Sequence, residues 1–153
     1  MDKTISLDEI ITLLTEKYEG YLVKVEDSLD AAIRVKDHLF FQVAKELKDE
    51  HGLDFLTDLT AIDLEEGNYR GIYHLMSWKP YRLLRIEVDV SGEEPWLPSI
   101  TELWPAADVQ EREAFDMFGI IYDGHPNLTR ILLSEDFEGH PLRKNYITKS
   151  RRK

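Results

Sequence analysis

A run of charged residues between positions 108 and 116 has the residue types and the spacing that acid–base or metal chemistry requires. The run contains Asp108, Glu111, Arg112, Glu113 and Asp116. Four-residue spacing on a helix predicts that Arg112 pairs with Asp108 or Asp116. Glu113 and Asp116 share a helix face, where two carboxylates could act as general acid and general base. An ion-paired helix face is the favoured interpretation, because a neighbouring arginine stabilises both carboxylates, whereas a catalytic pair needs its pKa values pushed apart.

Two similar segments follow this run, and each has an acidic residue and a glycine before a His-Pro step. They are Asp123-Gly124-His125-Pro126 and Glu138-Gly139-His140-Pro141. Glycine permits a tight turn and proline holds the preceding residue extended, so each segment is predicted to be a rigid corner. Together with Glu113 and Asp116, the two histidines could form an oxygen and nitrogen metal site. They lack the four-residue spacing of a helical zinc site and an obvious third ligand, which favours a structural or interface role.

Several kinds of catalytic and cofactor site are excluded by what the sequence lacks. It has no cysteine, so it cannot form disulfides, Cys-ligated zinc sites or Cys-ligated iron–sulfur clusters. It also lacks the G-x-G-x-x-G, P-loop and G-x-S-x-G motifs of dinucleotide, nucleotide and acyl-transfer sites. We therefore assign no catalytic, cofactor-binding or metal-binding residue to this chain.

The charge of the chain is negative and unevenly distributed. The 153 residues contain 19 Lys and Arg against 30 Asp and Glu, a formal net charge of −11, which argues against non-specific nucleic-acid binding. No acidic residue follows Glu138, whereas six basic residues do. This asymmetry divides the chain into one domain, residues 1–142, and a basic tail, residues 143–153. The tail is either a solvated terminus or an arm that docks on an acidic partner.

Membrane insertion is not expected from the sequence. No apolar run approaches the roughly 20 residues that a membrane-spanning helix needs, and the first residues lack the pattern of a signal peptide. We therefore expect a cytoplasmic location with no direct membrane span.

Periodic patterns predict the elements that position the charged run. Ser6 and Glu9 have capping-box spacing, and apolar residues then recur at helical intervals as far as Gly20. A second helix is predicted from Asp37, as its cap, to Gly52. A third is predicted from Asp108, also as its cap, to a stop at Gly119. Strands are predicted at residues 21–25, 31–35, 54–63, 69–78 and 81–90, and a short helical turn at residues 99–103.

The order of these elements predicts the fold class. A helix, two strands, a helix and three strands form an α+β fold of two layers, with both helices packed on one face of a mixed sheet. A C-terminal helix and the extended tail complete it. Along the last strand, four apolar residues alternate with charged ones, so the other face of the sheet is expected to meet water or a partner.

An ordered set of motifs runs from Leu103 to Lys144. The sequence reads LWPAA at 103–107, EREAFDMFGI at 111–120, GHP at 124–126, RILL at 130–133 and EDFEGHPLRK at 135–144. This set strongly resembles the 30-kDa subunit, or C subunit, of respiratory complex I, the NADH:quinone oxidoreductase. The strand-rich region before it also looks like that family, and residues 1–50 add a compatible architecture.

The resemblance implies a non-catalytic subunit of the peripheral arm of complex I on the cytoplasmic side of the cell membrane. Such a subunit packs against the 49-kDa-like partner, or D subunit, near the quinone site. Flavin and iron–sulfur clusters would be held by partner subunits, in a complex that couples electron transfer from NADH to quinone with proton translocation. The resemblance implies folding and docking roles for Glu111, Arg112, Glu113, Asp116, Phe118, Gly119, His125, Pro126, Arg130, His140, Pro141, Arg143 and Lys144.

Two alternatives stay open at this point. One is the same scaffold role in a complex I-like, membrane-bound nickel–iron hydrogenase, because related subunits occur there. The other is a free-standing metal-dependent enzyme that uses Glu113, Asp116, His125 and His140. For the isolated chain, self-association through an orphaned interface is a further expectation.

Overall fold

The chain folds into two layers around a five-stranded mixed sheet. The computed structural model describes residues 5–148, so Lys149, Arg151, Arg152 and Lys153 of the predicted tail lie outside the described residues. Within that range the helices are α1 (Leu7–Lys17), α2 (Asp37–Asp49) and α3 (Ala107–Phe118). The strands are β1 (Leu22–Lys24), β2 (Ala32–Val35), β3 (Phe55–Glu65), β4 (Asn68–Trp78), β5 (Tyr81–Ser91), β6 (Trp96–Pro98) and β7 (Ile121–Asp123).

The main sheet has the strand order β1-β2-β5-β4-β3. Strands β3, β4 and β5 form the predicted antiparallel meander, and β2 runs parallel to β5. The parallel pair follows from the chain path, because α2 and the meander separate β2 from β5 and leave room for a crossover connection. The predicted α+β fold with a mixed sheet is confirmed.

A second, two-stranded sheet pairs β6 with β7 in parallel. The sequence did not predict these strands. Each has only three residues, and Pro95 and Pro98 stand beside or within β6. A strand this short shows no alternation that could distinguish it from a loop.

The capping predictions had mixed outcomes. The capping box of α1 is present, since the Ser6 hydroxyl accepts the amide of Glu9 and the Glu9 carboxylate accepts the amide of Ser6. The predicted caps of the other two helices are wrong. Lys36 is the N-cap of α2 and Ala106 that of α3, and neither makes a side-chain cap bond. Asp37 and Asp108 lie instead in the first turns, where a negative charge is favourable at the positive end of the helix dipole.

One hydrophobic core lies between the helices and one face of the sheet. Buried side chains of α1 and α2 meet those of β4 and β5, as in the contact of Phe40 with Tyr73, whose ring centroids are 4.4 Å apart. The strand register places the alternate side chains, including Arg70, Arg85 and Asp89, on the opposite face. We call this opposite side the open face of the sheet.

Candidate functional site

The motif residues come together where helix α3 meets residues 124–148, which we call the C-terminal segment. Asp116 is the centre of this contact and its side chain is fully buried. One carboxylate oxygen accepts the backbone amides of Ile131, Leu132 and Leu133 at 3.2, 2.8 and 2.9 Å. The other accepts Nη1 of Arg130 at 2.6 Å. Three successive amides that converge on one oxygen form a cradle for an anion, and Asp116 fills it from within the chain.

The charge state of Asp116 follows from these partners. Burial favours the neutral carboxyl, but the Arg130 guanidinium and the three amides outweigh burial and hold the pKa of the Asp116 carboxyl below its usual range. The carboxylate is therefore ionised at neutral pH and is committed to holding the C-terminal segment.

The last three carbonyls of α3 are also satisfied by the C-terminal segment. A helix leaves its final carbonyls without partners inside the helix. Here His140 Nδ1 donates to the carbonyl of Asp116 at 3.0 Å, and the Leu142 amide donates to that of Met117 at 3.0 Å. Arg143 Nε donates to the carbonyl of Phe118 at 2.5 Å. The two arginines at this end, Arg130 and Arg143, also complement the negative end of the helix dipole.

Gly119 makes this close approach possible. It follows α3 with φ of 77°, the left-handed conformation in which glycine commonly ends helices. A Cβ atom at this position would lie 2.6 Å from Nη2 of Arg143 and 2.6 Å from Cδ2 of His140. The glycine of the motif therefore serves both the helix end and the packing of the segment against it.

Arg112 fixes the start of the same segment, in a way that the sequence did not predict. Its guanidinium donates to the carbonyl and hydroxyl of Thr129, each at 3.1 Å, and to the carbonyl of Arg130 at 3.3 Å. The predicted pairing of Arg112 with Asp108 or Asp116 is wrong. The carboxylates of Asp108 and Asp116 instead bind residues from distant parts of the chain. The Arg112 guanidinium binds backbone carbonyls, and contacts of that kind cannot be predicted from i, i+4 spacing.

Glu111 is a second buried carboxyl, on another side of α3. It accepts the Ser99 hydroxyl at 2.7 Å and the Ile100 amide at 2.8 Å, which joins α3 to the β6–α3 connection. Burial has the largest effect on the pKa of the Glu111 carboxyl and raises it, although both hydrogen bonds favour the charged form. The phenol oxygens of Tyr73 and Tyr122 lie buried in the same region without a hydrogen-bond partner among the described residues. Sequence reasoning missed this cluster because only the fold brings the two strands to α3.

The two buried carboxyls do not form an acid–base pair. Their pKa values shift in opposite directions, as catalysis would require, but each carboxyl has no solvent exposure and binds a different part of the chain. Glu113, a further carboxyl of the run, is half-buried and makes no hydrogen bond or ion pair within residues 5–148.

The two Gly-His-Pro corners bind opposite ends of α3. Gly124 and Gly139 both have left-handed backbones, with φ of 88° and 89°, a conformation that suits the tight turns expected from the sequence. His125 Nδ1 accepts the Asn127 amide, so Nε2 carries the hydrogen and donates to Asp108 at 3.0 Å. His140 binds the last turn of the helix. Pro126 is exposed and Pro141 is half-buried.

This arrangement argues against the metal-site hypothesis. Among residues 5–148, only Glu46, Glu50 and His51 bring three ligand atoms within 4.8 Å of one another. Glu46 in that group already accepts Lys17 and Tyr18. The set Glu113, Asp116, His125 and His140 does not converge, so the structure contradicts the grouping that the sequence suggested.

The first residues of the predicted tail are held by the domain itself. Arg143 lies over the Tyr69 ring at 5.2 Å and donates to the carbonyl of Glu93 at 3.1 Å. The Lys144 amide donates to Asp63 at 2.8 Å, and its ammonium donates to Glu65 at 3.2 Å. Within the described residues, the C-terminal segment therefore follows a fixed course from α3 to the β3–β4 hairpin.

The segment exposes apolar side chains along this fixed course. Leu132, Leu142 and Ile147 are all exposed. The contacts of Asp116, Arg130 and Arg143 hold the backbone of the segment in place. A segment whose backbone is held in place and which exposes apolar side chains among polar ones has the character of a docking surface.

Comparison with known proteins assigns the family. Residues 33–152 match the family described as respiratory-chain NADH dehydrogenase, 30 Kd subunit. The chain belongs to this family. The C subunit of the NADH-quinone oxidoreductase of Moorella thermoacetica is 44% identical over 141 residues, which cover 92% of this chain and 95% of the relative. A protein of the same name from Salinispora arenicola is 39% identical over 148 residues, and the match spans 60% of its length.

Solved structures share the fold of this family member. A trypsin-resistant fragment of Nqo5 superposes with a TM-score of 0.68 at 27% identity, over 80% of this chain and 98% of the fragment. A chain of a membrane-bound sulfane sulfur reductase, an archaeal respiratory membrane complex, superposes with a TM-score of 0.77 at 22% identity, over 92% of this chain and 85% of the other. The resemblance stated from the motifs is confirmed. Within residues 5–148, no helix has the length and apolar character needed to cross a membrane.

Proposed function

We propose that this chain is the 30-kDa-type subunit of a proton-translocating NADH:quinone oxidoreductase and that it docks on the 49-kDa-like subunit near the quinone site. The observation that carries the proposal is the similarity to the C subunit of an NADH-quinone oxidoreductase over nearly the whole length of the Moorella relative. On this proposal the chain lies in the peripheral arm, on the cytoplasmic side of the membrane, and supports assembly of the electron-transfer module.

The geometry of the motif residues supports a scaffold role. Each carboxylate, guanidinium and imidazole in these contacts binds a backbone group or another side chain of the same chain, and the buried carboxyls do not reach solvent. These side chains set the course of the C-terminal segment, whose exposed Leu132, Leu142 and Ile147 are available to a neighbouring subunit. We assign flavin and iron–sulfur clusters to the partner subunits and none to this chain.

Affinity purification of the chain from its native membrane fraction tests this proposal. A tag at the N-terminus leaves the C-terminal segment free, and an Asp116→Ala variant, which releases that segment, is the matched control. Recovery of flavin- and NADH-binding subunits together with a 49-kDa-like protein, reduced in the variant, is the expected result. Recovery of a nickel-containing large subunit without them would assign the chain to a hydrogenase-type complex. Recovery of the chain alone with stoichiometric metal or flavin would refute the scaffold role.

A further inference from the structure

One end of the open face of the sheet carries an exposed aromatic cluster that neither the core nor α3 uses. The cluster consists of three exposed aromatic residues, Phe55, Trp78 and Tyr81, and of Met76 and Leu83, which are half-buried beside them. The strand register pairs Trp78 with Tyr81, and Met76 with both Leu83 and Phe55, so all five side chains share the open face. The rings of Phe55 and Trp78 are 6.3 Å apart, and those of Trp78 and Tyr81 are 6.4 Å apart. Trp78 is 62% exposed.

This composition is typical of a protein interface. Exposed aromatic residues, methionine and arginine are enriched where proteins meet, and tryptophan and tyrosine contribute most to binding energy there. Strands β3, β4 and β5 each have 11 residues. At about 3.3 Å per residue and about 4.8 Å between strands, these three strands form a face of roughly 36 by 14 Å, which the shorter β1 and β2 extend at one edge. The whole face is then roughly 600 Å², about three quarters of the roughly 800 Å² per partner of a standard interface.

The rest of the open face is electrically balanced, although the chain as a whole has a net charge of −11. Glu87 is buried there because Arg34, Arg70 and Arg85 surround its carboxylate, with nitrogen–oxygen distances of 3.2, 3.6 and 3.9 Å. The Asp89 carboxylate pairs with Arg70, with 2.6 Å between Arg70 Nε and Asp89 Oδ1. A balanced surface gives no attraction to strongly charged partners such as nucleic acid or an anionic membrane. When two copies meet at this face, it also brings no excess of like charge into the contact.

One row across the sheet is complementary to itself. Asp58 on β3, His74 on β4 and Arg85 on β5 are neighbours in register. A two-fold axis that runs along β4, between two such faces, places Asp58 of one copy over Arg85 of the other, and the reverse. The same axis brings Trp78 of one copy to Trp78 of its partner, so the apolar ends also meet. Two-fold interfaces of this kind, in which one patch binds itself, are the commonest in soluble oligomers.

We propose that the open face of the free chain is covered by the open face of a second copy, with the two Trp78 side chains in contact near a two-fold axis. The pairing goes beyond the proposed function and does not depend on it. It holds the aromatic cluster out of water whenever the face is not already occupied by another protein.

Sedimentation equilibrium and light scattering of the full purified chain over a wide concentration range test the pairing. The wild-type chain is expected to form a dimer. Trp78→Lys and Trp78→Glu should each raise the dissociation constant by about 30-fold or more, because like charges would meet at the axis of an aromatic hot spot. An equimolar mixture of the two variants should recover the dimer, since opposite charges then meet.

A matched control compares Trp78 with the other exposed tryptophan among the described residues. Trp96 lies on the small β6–β7 sheet and is 54% exposed, so Trp96→Lys should leave the dimer unchanged. Circular dichroism and thermal unfolding establish that every variant is folded. A wild-type chain that is monomeric at all concentrations would overturn the proposal and leave the face to a different partner. A dimer lost in Trp96→Lys but kept in the Trp78 variants, or a mixture that stays monomeric, would overturn it as well.

Discussion

Replacing Asp116 tests whether one buried carboxylate holds the C-terminal segment on α3. In Asp116→Ala, three backbone amides and the Arg130 guanidinium lose their shared acceptor. Hydrogen bonds to charged groups contribute about 1.5–3 kcal/mol each, but they are not additive, and breaking a buried ion pair costs about 3–5 kcal/mol. We expect a loss of about 4 kcal/mol in the free energy of unfolding, or roughly 10 °C in Tm for a chain of this size.

Urea denaturation of wild type, Asp116→Ala and two further variants measures this effect. Asp116→Asn keeps an acceptor oxygen for the amides and loses only the charge, so about half of the loss is expected. Glu113→Gln, three residues away on the same helix and without a described partner, should change stability by less than about 0.5 kcal/mol. Because the pKa of Asp116 is lowered in the folded chain, its stabilising effect is present above the unfolded value of 3.8 and disappears as pH falls through the folded value. Equal midpoints for Asp116→Ala and Glu113→Gln at neutral pH would refute the central role of Asp116.

Three further substitutions test the same contacts. Gly119→Ala should lower the free energy of unfolding by at least about 2 kcal/mol, because strain at positive φ adds to a clash with Arg143. Gly20 also has positive φ but nothing within 4 Å of its Cβ position, so Gly20→Ala should lower it by about 1 kcal/mol. Equal losses in thermal unfolding would argue against the close approach at Gly119. Glu111→Gln should remove one pH-dependent contribution to stability. Because the pKa of Glu111 is raised in the folded chain, the contribution of this carboxyl is fully present below 4.5 and is lost as pH rises through the folded value. Parallel stability curves for the two chains would contradict this. Arg130→Lys should lower the free energy of unfolding by about 1–2 kcal/mol, since an ammonium cannot donate to Asp116 and to the Gly139 carbonyl together as the guanidinium does. An unchanged urea midpoint would show that this double contact of Arg130 does not stabilise the fold.

Local patterns predicted the parts of the fold that depend on neighbours in sequence. The α1 capping box joins Ser6 to Glu9 within one turn, and the meander follows from alternation over ten or more residues. The start of α3 was misplaced because the same spacing occurs at Asp108 and Glu111, whose carboxylates bind His125 and Ser99 instead. Capping spacing alone does not tell which distant group competes for a carboxylate.

The candidate site was predictable in its residues and not in its contacts. The motif singled out Asp116, but its partners are backbone amides of residues 131–133, which leave no side-chain pattern in the sequence. Similarly, the last carbonyls of α3 need partners in any helix, yet only the fold brings His140 and Arg143 to them. The exposed aromatic cluster depends on strand register. Phe55 pairs with Met76 only because a β-bulge between Leu56 and Asp58 shifts the register at this end of β3.

Site-specific photo-crosslinking in native membranes tests most directly the claim that the C-terminal segment docks on the 49-kDa-like subunit. A photoreactive amino acid replaces Leu142, which is 53% exposed on the segment, or Leu13, which is 50% exposed on α1. We predict a crosslink from position 142 to the 49-kDa-like subunit and none to that subunit from position 13. A crosslink to that subunit from position 13 alone, or none from position 142 in the assembled complex, would contradict docking through the C-terminal segment.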